Sequence, residues 1–168
     1  MSGETDGLIC AYRLDGKGSG ASLDWEAIQA NSDMDGFVWV HLDYKAPAAQ
    51  EWLNRDSGLD EVSVAALLAE ETRPRCIIVP DGLLLSLRGV NMNPGADPED
   101  MIAIRLWTDG QRIITTRRRR LLFIADLKTA IDAGQGPCSV SEFMVDLSAR
   151  LIERMAGVID DIDDAVDA

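Results

Sequence analysis

The sequence predicts an α/β domain: a mixed parallel and antiparallel sheet of about six or seven strands, helices on both faces, and a long C-terminal helix. Three observations lead there. Residues 67–122 read as the end of a helix followed by four strands, three of them alternating with a period of two. Within that block Asp109-Gly110 separates two strand-like runs, a hairpin signal that argues against a purely parallel, doubly wound sheet. Residues 139–168 repeat apolar side chains at three- and four-residue steps, as a helix does.

Each element has a local reason. Residues 8–14 form a first strand, followed by a turn rich in Gly16, Gly18 and Gly20. Asp24 is placed to cap a short helix through Ala30. Residues 37–42 are an apolar strand bounded by Asp35-Gly36 and Asp43. Pro47 suits the first position of a helix, where a missing N–H costs nothing, and that helix carries Trp52 and Leu53. A second helix over residues 59–70 puts Val62, Ala66 and Ala69 on one face, and Arg73-Pro74 stops it. Residues 75–79 are the next strand, and in the one after it Leu83, Leu85 and Leu87 alternate with Leu84, Ser86 and Arg88. Asn93-Pro94-Gly95 and Asp97-Pro98 make a loop. Residues 101–107 and 112–116 then pair as a hairpin with two-residue turn chemistry at Asp109-Gly110. Residues 121–133 are helical with Ile124, Leu127 and Ile131 inward, ended by Gly134-Gln-Gly-Pro137.

The last segment is the most regular. Ser139 and Glu142 form a capping box, and Phe143, Met144, Leu147, Leu151, Met155, Val158, Ile162 and Val166 recur on one stripe. At ~1.5 Å per residue the helix runs about 45 Å, too long for so small a sheet to cover, so part of the stripe should seek another helix. Its last nine residues hold five aspartates and no base, although negative charge is unfavourable at a helix C-terminus. The helix is therefore expected to continue beyond Ala168. Residues 1–138 are read as the α/β unit and 139–168 as the start of that longer helix.

At 168 residues, one domain is the default. No apolar run approaches the ~18–20 residues of a membrane-spanning helix, and residues 76–87 are broken by Pro80-Asp81-Gly82. The opening MSGETDG lacks the basic-then-apolar start of a secretory signal. Acidic residues outnumber basic ones 29 to 16, for a net charge of −13. Such a field repels nucleic acid and anionic lipid and attracts cations, most effectively where a concave surface focuses it. Cys10, Cys76 and Cys138 are dispersed and odd in number, as suits a reducing compartment, and Cys10 and Cys76 are expected in the core.

Candidate sites are few. His41 is the sole histidine, and a lone histidine beside a strand reads as structural; with no His/Cys cluster, a preformed tetrahedral zinc site is not expected. Arg117-Arg-Arg-Arg120 would point its side chains to opposite faces and form salt bridges within the domain or with an adjacent subunit; Thr72-Arg-Pro-Arg75 reads the same way. Nucleic-acid binding is not expected. Asp160, Asp161, Asp163 and Asp164 project mostly from the side opposite Val158, Ile162 and Val166, either as a solvated face or as a weak site for a hard cation. No nucleophile elbow, phosphate-cradling glycine loop or acid/base pair supports catalysis. No cofactor is required.

The blocks Trp39-Val-His-Leu42, Ala49-Gln-Glu-Trp-Leu53, Thr72-Arg-Pro-Arg75, Leu85-Ser-Leu-Arg88 and Asp109-Gly110 leading to Thr116-Arg117 resemble, in order and spacing, the N-terminal cytoplasmic domain of CorA-type divalent-metal transporters, in particular the zinc-transporting ZntB-like branch. The resemblance spans the chain from about Gly7 onward. It implies an α–β–α sandwich, a pentameric funnel, and a role gathering zinc or other divalent cations at the cytoplasmic face of the inner membrane. It also implies that acidic groups at subunit boundaries act as cation sensors, as in the magnesium branch. The family's ion-selecting Gly-Met-Asn motif and its membrane helices are absent from this sequence, so contact with the membrane would run through a later segment. The alternative from the residues alone is a free-standing interaction or sensor module, or an enzyme of unknown chemistry; a reading frame continuing into membrane spans separates them.

Overall fold

A run such as Phe37-Val-Trp-Val-His-Leu42 has no polar face, and such a strand is stable only where both sides of its sheet are covered. The computed structural model provides that arrangement. It describes residues 6–30, 35–70, 73–97 and 100–167, and the side chains of all of these except 161–165 and 167. Along the chain come β1 (Leu8–Leu14), β2 (Gly20–Ser22), α1 (Trp25–Gln29), β3 (Phe37–Asp43), α2 (Pro47–Arg55) and α3 (Glu61–Leu68). They are followed by β4 (Arg75–Val79), β5 (Gly82–Gly89), β6 (Ile102–Thr108), β7 (Arg112–Arg117), α4 (Leu122–Asp132) and α5 (Val140–Asp167). The described strands make one seven-stranded sheet in the order β2-β1-β3-β7-β6-β5-β4, antiparallel throughout except for the parallel pair β3–β7.

Alternation along the strands supplies two cores. Trp39, Ile113, Ile104 and Leu106 face α4 and α5, meeting Ile124, Leu127, Ile131, Phe143, Leu147 and Leu151. Val40, Leu42, Ile114 and Trp107 face the opposite way, against Trp52 and Leu53 of α2 and Val64 and Leu67 of α3. The result is an α–β–α sandwich of α/β class. In β1 the alternation is reset by a bulge between Leu8 and Cys10, which sends Leu8 to one core and Cys10 to the other.

Local signals set the boundaries. Asp24 caps α1 by accepting from the Ala27 N–H at 2.9 Å. Pro47 opens α2 after Ala46. Gly36 has φ +101, and a Cβ there would lie 1.8 Å from the Leu14 carbonyl oxygen, so no other residue fits. Gly134, at φ +74, ends α4 with its N–H donating to the Ile131 carbonyl.

Four expectations need correction. First, α3 buries Ser63, Val64 and Leu67 rather than Val62, Ala66 and Ala69, and Val62 is 68% exposed. Asp60 fixes the phase, its carboxylate accepting from the Val62 and Ser63 amides at 2.9 and 3.0 Å. The helix also ends at Leu68, before proline acts: Thr116 Oγ1 donates to the Leu67 carbonyl at 2.7 Å and Ala69 is already extended. Second, the β6–β7 turn is longer than two residues. Thr108 pairs with Ile113, and Asp109 accepts from the Gln111 and Arg112 amides at 2.9 and 2.7 Å, consuming residues 109–112. The tight turn instead joins β4 to β5, where Val79 pairs with Gly82 across Pro80-Asp81. Third, Cys76 is exposed, because β4 is an edge strand with Ile78 86% exposed. Fourth, part of the glycine-rich turn is strand: Gly20–Ser22 pairs with the end of β1.

One buried polar cluster ties β3 to β7. The Trp39 Nε1–H donates to Thr115 Oγ1 at 2.8 Å, and His41 Nδ1 lies 2.7 Å from the same hydroxyl. Burial, aided by the nearby Arg117 and Lys128 charges, pulls the His41 pKa down to about 3, so the ring is neutral. Thr115 Oγ1 in turn donates to the Val40 carbonyl at 3.4 Å, and His41 Nε2 is buried without a hydrogen-bond partner. Tyr12 stacks on Trp39 at 6.0 Å and Phe143 meets its face edge-on at 5.0 Å.

Phe143→Ala should therefore cost about 3–5 kcal/mol in urea unfolding, whereas Ile152→Ala, at an exposed site on α5, should change stability by less than about 0.5 kcal/mol. Since the folded pKa of His41 lies below its unfolded value, the unfolded chain takes the proton first. Stability contributed by the neutral ring is complete above pH 6.5 and falls as pH drops from 6.5 toward about 3, by up to about 1.4 kcal/mol per pH unit. The single histidine makes the check direct: its ring NMR resonances should stay those of a neutral imidazole from pH 8 to 5, and a midpoint near 6.5 would contradict the burial described.

Candidate functional site

The start of α5 is determined locally. Ser139 Oγ accepts from the Glu142 N–H at 3.1 Å, and the Glu142 carboxylate accepts from the Cys138 N–H at 2.8 Å, one residue earlier than an ideal capping box. Phe143, Leu147 and Leu151 then seat the helix on the sheet, and beyond Leu151 no described α5 side chain is buried. The helix runs on through Asp167, about 42 Å in all at ~1.5 Å per residue, and leaves the sheet behind.

Along this rod lies a second row that the sequence reading did not separate from the main stripe, to which it assigned Val166. Val145, Ile152, Ile159 and Val166 are 69%, 63%, 55% and 78% exposed and recur every seven residues, making one continuous apolar row. The strict seven-residue spacing was the available signal; it sits beside the stripe headed by Phe143 and Leu147 and was masked by it. Asp160 is exposed between Ile159 and the acidic end. The backbone carries Asp161, Asp163 and Asp164 onward at helical spacing, and their side chains lie outside the described residues. Ion pairs brace the upper part of α5: Arg150 with Asp146 at 2.9 Å and Arg154 with Asp126 of α4 at 2.6 Å.

The remaining candidates fall elsewhere. His41 is fully buried and neutral, engaged with Thr115, so it presents no nitrogen to a solvent-borne metal. Burial pushes the Cys10 thiol up to about 12, which makes it inert. Arg73 and Arg75 are exposed at the start of β4, and Thr72 lies outside the described residues. The arginine run divides between two clefts, though not by strand alternation, because β7 ends at Arg117. Arg118 and Arg119 line a cleft with Tyr44 and Glu70, where Arg119 pairs with Asp100. Arg117 and Arg120 line a different cavity against α4. Among the described residues, no group of three or more His, Cys, Asp or Glu side chains could hold a metal ion. No described helix is long and apolar enough to cross a membrane.

Chemically, then, the surface offers exposed carboxylates on a projecting helix, suited to hydrated or hard cations, and an apolar row suited to another helix. Comparison with known proteins gives this a context. The chain is 40% identical over 169 residues to the divalent cation transporter CmaX of Pseudomonas aeruginosa, covering 99% of this chain and 51% of that protein. It is 34% identical over 160 residues to the zinc transport protein ZntB of Pectobacterium carotovorum, covering 95% and 48%. The structure of full-length CmaX superposes on 99% of this chain and 52% of its own with a TM-score of 0.91. The ZntB cytoplasmic domain of Vibrio parahaemolyticus, 24% identical, shares the fold at a TM-score of 0.81 over 96% of this chain and 64% of that one. The chain thus spans about half the length of the curated relatives it matches. Residues 34–168 match the profile of the CorA-like Mg2+ transporter proteins, and the chain belongs to that family.

Proposed function

We propose that this chain is the cytoplasmic domain of a zinc or other divalent-cation transporter of the inner membrane, in which five copies line an acidic vestibule that gathers cations and couples cytoplasmic conditions to a pore carried by another part of the protein. The observation that carries this reading is the match along 99% of the chain to full-length CmaX, a protein named a divalent cation transporter. Two physical features support it. A net charge of −13 raises the local concentration of cations, and the effect is strongest where copies of the domain enclose a common space. The row Val145, Ile152, Ile159 and Val166 is an apolar surface on a helix that has left its own sheet, the kind of surface a neighbouring helix covers. Ions reach the vestibule as cargo or as weakly held ligands of Asp160, Asp161, Asp163 and Asp164, through oxygen donors rather than a closed tetrahedral cage. No catalytic role is assigned.

Calorimetric titration of the chain with Zn2+ or Mg2+ should show heat that falls as salt shortens the screening length from ~10 Å toward ~3 Å. Replacing Asp160, Asp161, Asp163 and Asp164 together by Asn should abolish most of that heat, and an unchanged isotherm would remove these residues from the vestibule. The gene offers a separate check on the transporter reading. Its frame beyond Ala168 should continue as helix into two membrane spans with Gly-Met-Asn at the end of the first, and a stop codon there would overturn the assignment.

A further inference from the structure

The acidic domain holds one concave basic site. Arg117 at the end of β7, Arg120 in the following connection and Lys128 on α4 converge on a cavity of about 360 Å³, walled by Ile9, Ile124 and Ala125. Ile124 and Lys128 lie four residues apart on one face of α4, so the cation stands directly over the apolar wall. Among the described residues no salt bridge engages Arg120 or Lys128, whereas Arg119 of the same run is paired with Asp100. Burial is the main cause of the depressed His41 pKa, and Arg117 and Lys128 add to it; the same two cations reach Cys10, where they oppose the upward push of burial. These two charges thus reach the sheet beneath the cavity, where Asp132 at the end of α4 opposes them at Cys10.

We propose that this cavity binds a small phosphate-bearing group, with Arg117, Arg120 and Lys128 as its charge partners. Three cations match a group carrying two or three negative charges better than a single carboxylate, and guanidinium forks suit tetrahedral oxyanions. The overall charge of −13 does not prevent this. At physiological salt the screening length is ~8 Å, so three cations within the cavity outweigh acids on distant surfaces. The apolar wall accommodates an attached ring or chain. A free metabolite and a lipid headgroup share this chemistry.

The probe is pyrophosphate, titrated into the metal-free chain while backbone amides are followed by NMR. Saturable shifts are expected at Leu121, Ile124 and Ala125, which line the cavity. Lys128→Glu and Arg120→Glu should each weaken binding about tenfold or more, as loss of a charge-assisted contact requires, while Arg55→Glu on α2 should leave it unchanged. The milder Lys128→Gln, checked by thermal melting, should give the same direction and guards against a folding defect. In a second arm the chain is floated with vesicles of phosphatidylcholine alone or mixed with phosphatidic acid. Flotation only with phosphatidic acid, lost in Lys128→Glu, assigns the headgroup as source; pyrophosphate shifts without flotation assign a free phosphate. No saturable shift and no selective flotation overturns the site, as does equal weakening by Arg55→Glu. None of these outcomes bears on the metal titration of α5, so this proposal and the transporter reading fail separately.

Discussion

The parallel pairing of β3 with β7 is the constraint on which the rest of the domain depends. It joins two antiparallel blocks, β2-β1-β3 and β7-β6-β5-β4, into one sheet. A parallel pair cannot be closed by a tight turn, so the chain between β3 and β7 must cross over, and in doing so it deposits α2 and α3 on one face. The other face is then left for α4 and α5. The seam is held by more than its backbone ladder. The Thr115 hydroxyl accepts from the Trp39 indole N–H and faces His41, and Thr116 donates to the Leu67 carbonyl of α3. Successive residues of β7 thus anchor opposite layers of the sandwich. Leaving the Trp39 donor unpaired in this interior would cost about 1–3 kcal/mol, comparable to a large part of a marginal stability.

Local chemistry was legible in the sequence because it acts within a few residues. Asp24, Pro47 and the Ser139/Glu142 pair each satisfy or tolerate a free backbone group at a helix start, and each helix begins where they direct. The apolar run at 37–42 was legible as a strand, and its lack of a polar side is what a doubly covered strand shows. What escaped reading was set by distant contacts. The phase of α3 follows from Asp60 together with the Thr116 hydroxyl, which lies 49 positions away in sequence. Cys76 and Ile78 carry strand composition, yet their exposure depends on β4 having a partner on one side only. The Asp109 carboxylate, not the glycine beside it, determines the length of the β6–β7 turn.

The functional surfaces show the same division. The aspartates at the end of α5 are visible in composition alone, and so is the run of four arginines. Their use is not. Arg117 and Arg120 become one site and Arg118 and Arg119 another because the chain leaves β7 at Arg117 and turns toward α4. The row from Val145 to Val166 is a surface because it faces away from the side of α5 that Phe143, Leu147 and Leu151 seat on the sheet.

The mechanical consequence concerns how α5 is held. Its first turns are bound by Phe143, Leu147 and Leu151, buried contacts worth several kcal/mol together. Past Leu151 the one described tie back to the domain is the Arg154–Asp126 pair, whose side chains are about one third and one half exposed, and such a pair contributes at most about 1 kcal/mol. The acidic half of the helix is thus a lever attached firmly at one end. The apolar row of Val145, Ile152, Ile159 and Val166 is exposed and adds no contact with the domain that the helix leaves. Asp126 stands on α4 two residues before Lys128, so the single tether of that lever is fixed to the helix that walls the basic cavity. The basic cavity and the rod that carries the aspartates are thus joined across α4 and α5 by a solvent-exposed ion pair, a link too weak to hold the two surfaces in one fixed arrangement.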